Sequence, residues 1–271
     1  TLRTRFIGKN PLRLPREGLP SSIRKIAKEE IDKAYALHAK ASNSFLTIVG
    51  NHNLEKLKAY VEDTFGEVDK GKEIKEPDTS KISGYKVSSI FKDFKQVYLS
   101  FNFPYFPSQD LVEKWRYSFV MSLLSETFYR KLVLELGLVH TARYEIETLT
   151  NVNRLPVLSV VCSPYNVEKI IAIILGELER VKKEGFYGKF FERFRSIGNK
   201  TLPMNFDSIS GAMSWCLSSF FEQGKVYSPE EVISARNKVT LEDLKHTAID
   251  LFDFKKLNCV AIGPIRENNL K

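Results

Sequence analysis

Four histidines and three cysteines are the residues best suited to metal or nucleophilic chemistry, and their spacing argues against both. His38, His52, His140 and His246 are far apart in the chain. No two sit three to five residues apart, and none stands beside a glutamate at zinc-site spacing. Neither His-Glu-x-x-His nor its inverse occurs. Cys162, Cys216 and Cys259 form no ligand pairs and sit among apolar neighbours, which predicts free, buried thiols. A phosphate loop, a dinucleotide glycine fingerprint and Gly-x-Ser-x-Gly are all missing. Taken alone, these residues make no complete catalytic site, and the plainest expectation is a binding or scaffold domain.

The elements that would position any site read clearly. Ser125 to His140 carries Phe128, Leu132, Leu136 and Val139 at helical spacing, followed by a strand. Gly137 sits where a helix stop favours positive φ. Upstream, Asp110 caps a long helix through Trp115, Phe119 and Leu123. Before it, Val97, Leu99, Phe101 and Phe103 alternate with Gln96, Tyr98, Ser100 and Asn102, a strand with one buried face. Downstream come strands near Arg143 to Thr148 and Leu155 to Cys162. Asn166 caps a strongly amphipathic helix, and segments around Phe190 to Leu202 and Ser208 to Phe221 follow. Ser228-Pro229 and Thr240 start two more helices, and Leu257 to Gly263 is the closing strand.

Nearer the start, Asn10 to Leu19 is an extended, proline-rich loop. A helix opens at Lys28-Glu29-Glu30 with Ile31, Ala34 and Tyr35 among its apolar positions and His38 on its partly exposed face. Ser44 to Gly50 reads as a buried strand. Leu54 to Phe65 reads as a helix capped by Asn53, with Leu54, Leu57, Tyr60, Val61 and Phe65 facing inward. The composition then turns to Lys, Glu, Gly, Pro, Asp and Ser, as a linker does. The expected class is α+β, an antiparallel sheet covered by helices.

Composition narrows the function. With 43% hydrophobic and 27% charged residues the chain resembles an ordinary globular protein. No apolar run approaches the about 20 residues of a membrane span. The net charge of +8 is scattered. Acids interleave with Lys70, Lys72, Lys75 and Lys81, so a solvated linker explains the run better than nucleic-acid binding. Free thiols point to the cytoplasm, with the periplasm as the alternative. An opening at Thr1 rather than Met fits a processed chain or part of a longer one.

The order of segments resembles the insulinase, pitrilysin and mitochondrial-processing-peptidase group of zinc metallopeptidases. The likeness is carried by Asn10-Pro11-Leu12 with Ser22-Ile23-Arg24-Lys25-Ile26, and by Leu46-Thr47-Ile48-Val49-Gly50 with Phe65-Gly66. Phe94 to Phe101, Ser125 to Gly137, Val239 to Leu244 and Val260 to Pro264 complete it. The resemblance implies that residues 1–75 are the C-terminal part of a first repeat unit, 76–84 a linker, and 85–271 a second, non-catalytic unit. It places the zinc motif outside this chain. Zinc is then expected only in a missing or partner half, with no cofactor in this chain.

The partners implied are that zinc-bearing half, in the same chain or a homologous subunit, and an extended peptide substrate. Peptide-cleaving members carry an Arg before Leu-Gly-Leu and a Tyr seven residues later, where this sequence has Val133 and His140. Valine cannot donate a hydrogen bond, whereas imidazole can. The substrate-binding residues expected are therefore His140, with Arg130 or Arg143 standing in for the lost guanidinium. The alternative is a non-peptidase homologue kept as a scaffold or heterodimer partner.

Overall fold

The computed structural model describes residues 10–15, 17–75, 86–103, 110–148, 154–266 and 270. The expected linker at 76–84 lies outside them. The chain divides into two compact units, residues 1–13, 78–203 and 227–271 in one and 14–77 with 204–226 in the other.

The first unit is built on a five-stranded sheet of order β1-β5-β2-β4-β3. Its strands are β1 (Lys86–Phe91), β2 (Val97–Asn102), β3 (Val139–Thr148), β4 (Arg154–Cys162) and β5 (Asn258–Gly263). β2 pairs antiparallel with β4 and β5, and β3 pairs antiparallel with β4. β1 and β5 run parallel, so the sheet is mixed rather than purely antiparallel. The α+β class stands. β1 escaped the sequence reading because Lys-Val-Ser-Ser-Ile-Phe has only a weak period-two signal.

One face of the sheet carries the core. Val97, Leu99, Phe101 and Phe103 are at most 2% exposed. Against them pack α4 (Leu111–Phe128), α5 (Val167–Glu184) and α9 (Leu241–Leu251), whose Phe128, Ile170, Ile174 and Leu244 are fully buried. α6 (Gly188–Thr201) adds Phe191, which meets Phe119 edge-on at 5.2 Å. α8 (Pro229–Lys238) adds Val232. Ser100 and Asn102 were expected on β2's open side, yet both are buried as well. β2 is the central strand, and here it is covered on both faces.

Three of the expected caps in this unit form and one does not. Asp110 accepts from Glu113 N at 2.7 Å, and Thr240 and Ser228 make full capping boxes. Asn166 makes no side-chain cap, because a short 3-10 turn at Pro164–Asn166 precedes α5. All three cysteines are free; Cys162 and Cys259 are buried, whereas Cys216 is only half-buried.

The second unit contains α1 (Pro20–Ile23), α2 (Lys28–His38), α3 (Leu54–Phe65) and α7 (Ile209–Gln223). Asn43 ties its middle together, donating to Lys72 O at 3.0 Å and accepting from Ile74 N at 2.9 Å. Lys40 Nζ pairs with Asp69 at 2.8 Å, and Phe45 packs on Phe220 and Phe221. The expected strand at Ser44–Gly50 does not form. Residues 44–49 form no regular element, no described strand pairs with them, and Phe45, Leu46 and Ile48 are exposed. A strand needs a ladder partner to become one. The expected inner faces of α2 and α3 are likewise uncovered, and neither helix has a buried residue.

Candidate functional site

β3 ends the sheet, so its outer edge has no partner strand among the described residues. Beside it runs α4, where Ser118, Ser122 and Ser125 recur at helical spacing on one stripe that Tyr129, just past its end, continues. The small side chains leave a groove of about 640 Å³ between this stripe and the strand. Glu126 and Arg143 also line it. Ala142, Tyr144 and Ile146 on β3 form its floor.

Alternation sets what each β3 residue offers. Ala142 is buried and Tyr144 and Ile146 are half-buried, whereas Arg143 and Glu145 are exposed. The pairing of β3 with β4 is irregular between Val139 and Ala142, so a regular edge begins beyond it. The Tyr144 hydroxyl is shielded from water and has no hydrogen-bond partner among the described residues. Burial pushes its ionisation well above the ordinary phenol range, so it stays a neutral donor.

The three residues expected to bind substrate do not converge on one hollow. Arg143 lines the main groove and pairs with Glu145 at 3.1 Å across exposed surface. Arg130 stands 3.8 Å from Glu126, which lines that groove, and its guanidinium lies 5.3 Å from the Phe190 ring. His140 is exposed and lines a separate, smaller hollow of about 190 Å³ with Lys95, Gln96 and Ser163. Val133 packs half-buried against the core. The groove therefore gathers Arg143 and Arg130's partner, and leaves His140 outside.

Sequence reasoning missed a buried ion cluster under the end of α4. Glu177 on α5 is 4% exposed and accepts from Arg180 Nε at 2.7 Å and Lys131 Nζ at 2.9 Å. Burial alone would raise its pKa, but hydrogen bonds from Arg180 and Lys131 outweigh that and hold the carboxyl below the ordinary glutamate value. Lys131 and Glu177 lie far apart in the chain, so no local pattern announces their meeting.

Among the described residues no three His, Cys, Asp or Glu side chains could hold a metal ion together. His246 meets its helical neighbour Glu242 at 3.2 Å on the surface. The zinc ion of the resembled family has no ligand set among them. No helix is long and apolar enough to cross a membrane among the described residues.

The second unit has a hollow of its own. Leu46, Ile48, Leu54, Leu57 and Val61 wall an apolar groove of about 720 Å³ between the unpaired stretch and α3.

Known proteins give this geometry a setting. A search of curated proteins found no match. Among solved structures, a peptidase M16 inactive domain from Pseudomonas fluorescens superposes with a TM-score of 0.83 at 14% identity, covering 97% of this chain and 64% of that one. The first half of the periplasmic protease PqqL from Escherichia coli gives 0.76 at 14% identity, covering 97% and 60%. A chain of Complex III2 from Candida albicans gives 0.80 at 13% identity, covering 99% and 67%. At such identities the likeness speaks for fold alone, and this chain spans under two thirds of the first two structures. The sequence model of the peptidase M16 inactive domain matches residues 25–196, more than half the chain. The chain belongs to the M16 peptidase family and carries that family's inactive domain.

Proposed function

We propose that this chain is the non-catalytic region of an insulinase-like zinc metallopeptidase and helps to enclose and bind extended peptide. In this reading residues 1–75 finish one repeat unit and 85–271 form the next. A zinc-bearing half, in the same polypeptide or a homologous subunit, supplies the chemistry. Peptide lies along the open edge of β3, where backbone groups on alternate residues face outward and the groove beside α4 takes side chains.

One observation carries the proposal. The stretch 44–49 has the composition of a strand yet no strand partner among the described residues, and α2 and α3, which are patterned for burial, have no fully buried residue. Ile31, Tyr35, Leu54 and Tyr60 are each more than half exposed. Apolar area of this extent marks a surface that another polypeptide covers. A zinc-bearing half of related fold would offer both a strand for 44–49 and a sheet face for the helices.

The test is to purify the protein in its native assembly, and this chain by itself, and to assay both for zinc and peptidase activity. The expected result is a zinc-loaded, peptide-cleaving assembly and a metal-free, inactive chain that binds hydrophobic dyes. Stoichiometric zinc on the chain alone would overturn the reading. Val133 favours a second one, because it places no donor where cleaving relatives carry an arginine. A zinc-free, inactive assembly would make the chain a scaffold or heterodimer partner.

A further inference from the structure

The long helix at the groove does not end as an α-helix. At Phe128 α4 passes directly into a seven-residue π-helix, Tyr129–Glu135. Leu136 N donates to Lys131 O at 3.1 Å, a bond across five residues rather than four, and Leu138 N closes on Leu132 O at 2.9 Å. Gly137, at φ +57°, then turns the chain into β3. The wider turn holds each residue back from the angle an α-helix would give it. Phe128, Leu132 and Leu136 were expected on one face; Phe128 and Leu132 are 0% exposed, while Leu136 is 44% exposed.

A π run of this length is uncommon, and such segments are frequent at functional sites. Leaving Leu136 in water costs apolar burial, so another interaction has to favour the wide register. The candidate lies within the run. Lys131 reaches Glu177 on α5, and that carboxylate is buried and already engaged by Arg180. Tyr129, the first π residue, lines the groove, and Arg130 beside it faces Glu126 on the groove wall.

We propose that the Lys131–Glu177 ion pair selects the π register, making Lys131 a positioning residue that sets where Tyr129 and Arg130 stand along the β3 groove. The use of that wall rests on the peptide-binding reading above; the register does not, and the experiment reads the register.

The experiment is NMR detection of through-hydrogen-bond couplings, with amide exchange, on the full chain and on Lys131→Met, Lys131→Arg and Glu177→Gln. In the unaltered protein the Leu136 amide should couple to the Lys131 carbonyl. In Lys131→Met it should couple to the Leu132 carbonyl. Exchange across residues 132–138 should then change about tenfold, as for one charge-assisted hydrogen bond. Lys131→Arg should keep the original pattern. If Lys131→Met does not fold, Glu177→Gln removes the same pair and is read the same way. A Leu136 amide still coupled to Lys131 in the foldable variant overturns the proposal, because the core alone would then set the register. A switched acceptor with unchanged peptide affinity would uphold the proposal and count against the groove as a peptide site.

Discussion

The two units of this chain use the same kinds of helix in opposite ways. In the sheet-bearing unit, α4 and α5 bury Phe128, Leu124, Ile170 and Ile174 completely. In the other unit, α3 has comparable apolar residues at helical spacing, yet Leu54, Tyr60 and Phe65 are each more than half exposed. Amphipathic pattern does not explain the difference, since α3, properly capped by Asn53, shares it with α5. What differs is the presence of a sheet. β2, β4 and β5 give α4 and α5 a surface to cover, whereas 44–49 is a strand sequence without a ladder. Amphipathic pattern states which face wants burial; only a partner surface decides whether burial happens.

The sharpest break in that comparison comes from the core. Phe128→Ala should cost about 3–5 kcal/mol in urea unfolding, through lost transfer energy and the cavity left behind. Phe128 is 0% exposed and belongs to the main core cluster. A cost below about 1 kcal/mol would mean that the sheet-bearing unit is no better packed than its neighbour.

How much of this was legible follows the same line. α4, α5, α8, α9 and β2 through β5 could be read because their caps and apolar periods are local signals. Asp110, Ser228 and Thr240 each close the bond expected of them. The parallel strand β1 could not, since its place depends on β5 far along the chain. The stretch 44–49 misled for the opposite reason: β-branched and apolar residues fit a strand, but pairing is not a property of the segment. The groove was half legible. Arg143 was named as a stand-in for the guanidinium that the resembled peptidases carry, while the serine stripe gains meaning only once α4 lies beside an open strand edge. The π register was invisible, because the spacing of Phe128, Leu132 and Leu136 reads as ordinary α-helix. Lys131 and Glu177 meet only through the packing of two helices.

A smaller effect should come from the buried carboxylate. Glu177→Gln leaves Arg180 and Lys131 without their anion, and with Lys131 partly solvated the loss at neutral pH should be about 2 kcal/mol. The folded carboxyl titrates below its unfolded value, so the pair's contribution is fully present above the ordinary glutamate pKa of about 4.3. It is lost as pH falls through the lower folded value. Above about pH 5 the stabilities of the two proteins should therefore differ by a constant amount, and the difference should shrink as pH falls from 5 through the folded value. A gap that stays constant across that range would show that Glu177 stabilises by shape rather than by charge.

The smallest effect on the isolated chain should come from the residues that look most like core in the sequence. Leu46→Lys and Tyr60→Ser alter side chains that are 55% and 66% exposed, and each should change the stability of the chain alone by no more than about 0.5 kcal/mol. In the native assembly the same substitutions should weaken association by at least about tenfold, because a buried lysine or a lost aromatic anchor is costly at an interface. Analytical ultracentrifugation of the assembly and urea unfolding of the chain, run on the same variants, separate the two quantities. Equal and small changes in both would mean that these faces remain in water throughout. A large loss confined to the assembly would show that the sheet missing from this unit is supplied from outside it.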